Sequence, residues 1–203
     1  MTKELNIIVG GNGSGKTTFY YRYLHKHNLP FLNADELAKE KWPGSPETHS
    51  YEAAKEIEQQ RRLFLALGKS FCFETVFSHP SKVDFLANAK SNGFTINLFV
   101  IHIDDDPTTN VARVTNRHAH GGHHVPEDKI RNRIPRTLSH IVQTIPLCDT
   151  VSFYDNTSSQ HPFERVAVLC ANRTLYAQDT MPLWVENFVK GHYAIKTPFP
   201  SKT

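Results

Sequence analysis

At 203 residues the chain is long enough to bury one full α/β core and short for two, so a single domain is expected. A formal charge of +3 with 21% charged residues leaves no field that would make nucleic acid the principal partner, and the basic residues gather only between Arg113 and Arg136. Cys72, Cys148 and Cys170 are odd in number and lack a C-x-x-C spacing, and no apolar stretch approaches membrane-spanning length, so the expectation is a soluble cytoplasmic protein with no disulfide framework and no membrane partner.

The apolar residues 5–9 predict a first strand and residues 17–24 a helix. Between them Gly10-Gly11-Asn12-Gly13-Ser14-Gly15-Lys16-Thr17 is a complete G-x-x-x-x-G-K-T in a strand-turn-helix setting, which makes it a phosphate-binding loop. Its glycines let the backbone turn tightly, so that successive N–H groups and the positive end of the helix meet a polyphosphate. Lys16 supplies a charge to the β- and γ-phosphates. The Thr17 hydroxyl holds Mg²⁺, an ion that takes only one or two protein oxygens. ATP with Mg²⁺ is therefore expected at Gly10, Gly11, Asn12, Gly13, Ser14, Gly15, Lys16, Thr17 and Thr18.

Residues 30–35 predict a short second strand ending on Asp35, and a linker with Pro43 and Pro46 leads to a helix over about 52–67 that Gly68 stops. A third strand over 70–74 ends on Glu74. A helix over 80–89, a turn at 91–93 and a buried fourth strand over 95–103 follow. Asp104-Asp105-Asp106-Pro107 resembles a Walker B ending interrupted by His102, but Pro107 favours reading it as the cap of the next helix, which carries Arg113 and Arg117. Residues 118–124 form a glycine- and histidine-rich break. Without a paired cysteine or carboxylate spacing, His118, His120, His123 and His124 read as a polar lid rather than a metal site.

Pro126 opens another helix through Arg131 and Arg133, and Pro135 should end or kink it before a helix restarts towards 145. Residues 150–154 predict a fifth strand ending at Asp155-Asn156. Residues 165–170 and 174–177 predict a hairpin, and residues 182–190 a last helix with Trp184 and Phe188 packing on one face. The tail after 191 is expected to be loose.

Apolar runs alternating with amphipathic segments predict an α/β class: a P-loop NTPase, nucleotide-kinase-like three-layer fold, with a mostly parallel sheet of five principal strands and a C-terminal hairpin at its edge. One domain over 1–203 is expected, with its core over 4–158, the hairpin and last helix over 162–190 and the tail over 191–203. The chain lacks the N-K-x-D of a GTPase and the L-S-G-G-Q of a transporter-type ATPase. What remains is a small-molecule kinase. Such an enzyme needs a cradle for ATP, a metal, a carboxylate that takes the proton of an acceptor hydroxyl, and cations for the transferred group. The loop, Asp35 and the arginines from Arg113 onward supply these parts, although not all four of Arg113, Arg117, Arg131 and Arg133 can point inward. A kinase for some other metabolite and an ATP-binding regulatory protein with no acceptor are the rival readings.

Four stretches then carry a resemblance: Phe31-Leu32-Asn33-Ala34-Asp35-Glu36-Leu37-Ala38, Gly68-Lys69-Ser70-Phe71-Cys72-Phe73-Glu74-Thr75, Gly121-Gly122-His123-His124-Val125-Pro126-Glu127 with Ile130-Arg131-Asn132-Arg133, and Tyr154-Asp155-Asn156-Thr157. In this order they resemble the short members of the zeta toxin family, from the first strand to about Ser158. The resemblance implies a P-loop kinase that phosphorylates the amino-sugar 3'-hydroxyl of UDP-N-acetylglucosamine, blocks cell-wall precursor synthesis and is held by a small helical antitoxin over its ATP site. By position it implies Lys16 and Thr17 on ATP and Mg²⁺, and Asp35 as the base. Glu74, Thr75 and Arg133 would contact the sugar nucleotide, and Arg117 and Arg131 the transferred phosphoryl group. Val76 departs from the second threonine of many relatives, Pro135 interrupts a helix that is usually continuous, and the chain is shorter than the large toxins.

Overall fold

The computed structural model of the chain describes residues 2–103, 106–119, 122, 125–170, 174–178, 181–189 and 194–196. Its strands are β1 (Lys3–Val9), β2 (Phe31–Leu32), β3 (Phe71–Thr75), β4 (Phe94–His102), β5 (Thr150–Asp155), β6 (Glu164–Cys170), β7 (Thr174–Ala177) and β8 (Ala194–Lys196). They form one sheet in the order β2-β3-β1-β4-β5-β6-β7-β8. The first five neighbours run parallel, β6 is antiparallel to both β5 and β7, and β8 is parallel to β7. This is an α/β fold with a mostly parallel sheet, as the alternation of apolar runs and amphipathic segments predicts.

The helices are α1 (Lys16–Phe19), α2 (Ala34–Lys41), α3 (Ser50–Ala66), α4 (Ser81–Ser91), α5 (Thr108–Ala119), α6 (Glu127–Thr144) and α7 (Leu183–Val189). β1 is buried from Leu5 to Val9 because both of its faces are covered there, and its apolar side chains divide between two cores. Leu5, Ile7 and Val9 join a cluster with Ile57 and Leu65 of α3, Leu86 of α4 and Ile141 of α6. Ile8 packs on the opposite face with Phe19, Tyr20, Leu24 and Phe163. The carboxyl ends of β1 and β3 and the amino ends of α1 and α2 therefore open into the same space, which is where such sheets place ligands. The three thiols are free. Among the described residues no helix is long and apolar enough to cross a membrane.

Several elements differ from the sequence reading. The expected second strand shrinks to Phe31–Leu32, because the Asn33 side chain accepts from the N–H groups of Asp35 (2.9 Å) and Glu36 (3.3 Å) and starts a helix that was not foreseen. Asp35 thus sits in the first turn of α2 and not at a strand end. The loop helix passes after one turn into π geometry over Tyr20–Leu24 and 3₁₀ geometry over His25–His27, ending at Asn28 with φ 52. Pro135 neither ends nor breaks its helix, since α6 runs unbroken over Glu127–Thr144. Ile130, Ile134, Thr137, Ile141 and Thr144 are buried along one side of α6, and that stripe holds the helix together past the missing N–H.

Asp106 does cap α5, its Oδ1 accepting from the Thr108 N–H at 3.0 Å and the Thr108 hydroxyl at 2.7 Å. Asp104 and Asp105 lie outside the described residues, as do Gly121, His120, His123 and His124 of the expected lid. Among the described residues no three His, Cys, Asp or Glu side chains are grouped to hold a metal. The hairpin of β6 and β7 forms, but the sheet continues to β8, made from residues 194–196 of the expected loose tail. Trp184 of α7 is buried against Phe153 and His102.

Candidate functional site

The loop between β1 and α1 is fixed from behind before it meets any ligand. Gly10 passes so close to β4 that a Cβ would lie 2.1 Å from the Ile101 carbonyl oxygen, which excludes every other residue. Gly15 has φ +96, and a Cβ there would stand 2.7 Å from the Asn156 amide nitrogen. Two buried asparagines brace the loop. Asn110 Nδ2 donates to the Asn12 carbonyl at 2.8 Å, and Asn156 Nδ2 donates to the Ser14 carbonyl at 2.8 Å. Asn156 Oδ1 also accepts from the Phe163 N–H, and its own carbonyl accepts from Arg113 at 3.0 Å. The buried Ser14 hydroxyl has no hydrogen-bond partner among the described residues. An anion seated in this turn would meet backbone donors held without slack.

Lys16 reaches back across the loop and donates to the Gly11 carbonyl at 3.0 Å. Burial pushes its ammonium below the usual lysine range, Glu74 and Asp35 pull it back up, and Arg117 and Arg133 push it down again. The Thr17 hydroxyl donates to Glu74 Oε2 at 2.8 Å, which joins the loop to the end of β3. Burial raises the Glu74 carboxyl above its usual range, and Lys16 and the Thr17 bond only partly offset that rise. Lys16, Thr17, Asp35, Glu74, Arg117 and Arg133 all line one cleft of about 1030 Å³. The exposed Asp35 carboxylate makes no hydrogen bond among the described residues, so it is open to a hydroxyl entering the cleft.

The family model described as AAA domain matches residues 5–136 of the chain, from β1 into the middle of α6. The chain belongs to this AAA domain family. An uncharacterized protein of Haemophilus influenzae is 28% identical to it over 134 residues, covering 66% of this chain and 94% of that protein. Among solved structures, AvrRxo1-ORF1:-ORF2 with ATP has a TM-score of 0.63 at 16% identity, covering 88% of this chain and 61% of that one. A candidate kinase from Chloroflexus aurantiacus has a TM-score of 0.59 at 22% identity, covering 79% and 92%. The PezAT toxin-antitoxin system of Streptococcus pneumoniae has a TM-score of 0.53 at 14% identity, covering 81% and 72%. At these identities the likeness is one of fold, an α/β P-loop fold of nucleotide-kinase-like type.

In this AAA domain the predicted arginines part company. Arg133 donates to Asn12 Oδ1 at 3.3 Å and lines the cleft with Arg113 and Arg117. Arg131 is exposed, bonds Glu127 one turn earlier at 2.7 Å and is not part of the cleft wall. Two residues apart on a helix means nearly opposite faces, so the choice of Arg133 excludes Arg131. Thr75 and Thr18 lie in the cleft wall, whereas Gly10, Gly11 and Ser14 stand behind it. His118 pairs with the Gly122 carbonyl at 3.0 Å and approaches Glu47 at 3.8 Å. Sequence reasoning missed Asn110 and Asn156 as supports of the loop; Asn156 was visible only as part of a resemblance, and Asn110 carried no local signal at all. It also missed Arg61 and Lys82 in the cleft wall.

Proposed function

We propose that this chain is an ATP-dependent kinase of zeta toxin type that transfers the γ-phosphate to a hydroxyl of a sugar nucleotide, with UDP-N-acetylglucosamine the acceptor to test first. The observation that carries the reading is the meeting of Asp35, whose carboxylate makes no hydrogen bond among the described residues, with Lys16, Thr17, Arg117 and Arg133 in one cleft. A protein that only bound nucleotide would need the loop and the cations, but no open carboxylate beside them.

The residues present fit ATP and Mg²⁺. The loop offers a rigid turn with a buried hydroxyl free to bond, and Thr17 and Glu74 place two hard oxygen donors 2.8 Å apart next to it. Thr17 and Glu74 would hold the ion, whose chemistry when bound is to neutralise charge shared by the β- and γ-phosphates. Lys16 binds and orients the polyphosphate. Asp35 orients the acceptor hydroxyl and takes its proton, and Thr75 contacts the acceptor beside it. Arg117 and Arg133 take the place expected for Arg117 and Arg131, meeting the negative charge of the transferred group. A small helical antitoxin that covers the ATP site belongs to the same reading. The idea of a protein partner draws support from the AvrRxo1-ORF1:-ORF2 complex and the PezAT toxin-antitoxin system, to which the chain is similar in fold.

Purified protein incubated with ATP, Mg²⁺ and UDP-N-acetylglucosamine is expected to yield a product one phosphoryl group heavier by mass spectrometry. The Lys16→Ala and Asp35→Ala proteins should yield none. If the wild-type protein binds ATP and leaves the sugar nucleotide unchanged, this acceptor is wrong.

A further inference from the structure

The cleft has a second charged wall that the loop does not explain. Along α3 the buried residues are Ala53, Ile57, Arg61 and Leu65, so an arginine occupies a stripe that is otherwise apolar. Arg61 is 6% exposed, its Nε has no hydrogen-bond partner, and no ion pair forms at its guanidinium among the described residues. Its charge lies 4.8 Å from the centre of the Phe73 ring and 5.7 Å from that of Phe85. Those rings offset only part of the cost of taking a guanidinium out of water. The acid that acts on it most, Glu58, is already bonded to Arg62 at 2.6 Å.

Lys82 stands beside it in the first turn of α4, where the helix dipole disfavours a cation and attracts an anion. Burial, and then the charge of Arg61, push its ammonium below the usual lysine range. Both residues line the cleft that holds Lys16 and Asp35, yet they belong to its other side. Phe73 packs towards α3 and α4, while its neighbour Glu74 turns to the opposite face of β3 and bonds Thr17. The charges that act on Lys82 are those of Arg61, Glu58 and Arg62, none of them part of the loop. A cleft of about 1030 Å³ is at the upper end for a single small ligand, so there is room for an acceptor beside a nucleotide.

We propose that Arg61 and Lys82 form a phosphate subsite on the acceptor side of the cleft, so that the acceptor is a phosphorylated small molecule held by its phosphoester or diphosphate group with a hydroxyl towards Asp35. The word acceptor rests on the kinase reading; the binding of a phosphate group at this wall does not.

The test is calorimetric titration of the full chain kept saturated with AMP-PNP and Mg²⁺, so that the loop is filled. UDP is the probe and uridine its phosphate-free control. UDP should bind the loaded protein at least tenfold more tightly than uridine does. Lys82→Ala and Arg61→Met should each weaken UDP about tenfold or more while changing AMP-PNP affinity less than twofold. Because Arg61 is a buried charge with no ion pair among the described residues, Arg61→Met should also melt no lower than the wild type. A merely structural arginine would give the reverse, a lower melting temperature with UDP binding unchanged. Should Arg61→Met fail to fold, Lys82→Ala decides alone. UDP binding no better than uridine, or equal UDP binding by wild type and variants, would overturn the subsite. UDP binding as expected without phosphoryl transfer to UDP-N-acetylglucosamine leaves the subsite standing and removes that acceptor.

Discussion

Burial pushes the Glu74 carboxyl above the usual carboxylate range, and the Lys16 charge and the Thr17 hydroxyl pull it back only in part. The folded protein therefore holds a proton on Glu74 at a pH where the unfolded chain, with an ordinary glutamate, has released it. Stability contributed by this residue falls as pH rises from the ordinary glutamate value through the raised folded one, and stays low above it. Glu74→Gln should accordingly raise the melting temperature of the nucleotide-free protein at neutral pH and flatten its pH dependence in that window. It should also weaken Mg²⁺-dependent turnover. Melting curves between pH 4 and pH 8 check it, and a Glu74→Gln protein less stable than wild type at pH 7 would contradict the reading. Lys16 and Thr17 were legible at this scale because their spacing is a local pattern tied to a turn. Asn110, Asn156 and Arg61 were not, since each acts on a segment that folding alone brings near: Asn156 bonds Ser14, 142 positions away in the chain.

Among the elements, α2 and α6 teach opposite lessons. The start of α2 is written in Asn33 and the acidic residues of the first helical turn, which end the strand at Leu32 rather than at Asp35. A cap decides where a strand stops as well as where a helix begins. In α6 the local signal was read correctly and then overridden. Pro135 disfavours a helix interior by about 3 kcal/mol on intrinsic preference, yet buried Ile134 and Thr137 on either side of it, and the Thr137 hydroxyl bonded to the Val76 carbonyl at 2.7 Å, hold the helix in register. Pro135 itself is exposed and packs into no core. Pro135→Ala should therefore stabilise the protein by about 1–3 kcal/mol in urea titration, with Arg133 still on the cleft side. A destabilised variant would show that the proline is part of how α6 is aimed.

Across the whole molecule, the parallel half of the sheet was legible because each strand is a buried apolar run beside an amphipathic helix. β8 was not: three residues beyond α7 carry no pattern of their own and join the sheet only because β7 leaves an edge to pair with. The site follows from the same topology, with β1, β3, α1, α2 and the arginines of α5 and α6 brought to one cleft by the order of the strands. The central claim is that this cleft moves a phosphoryl group rather than merely holding a nucleotide. The measurement that bears on it most directly is transfer of label from γ-³²P-ATP to a small-molecule extract by wild-type and Asp35→Ala proteins, with ATP affinity measured for both. The account predicts a labelled product other than free phosphate from the wild type, and none from Asp35→Ala at an ATP affinity within about twofold. An Asp35→Ala protein that still labels the product, or a wild type that releases only free phosphate, would contradict it.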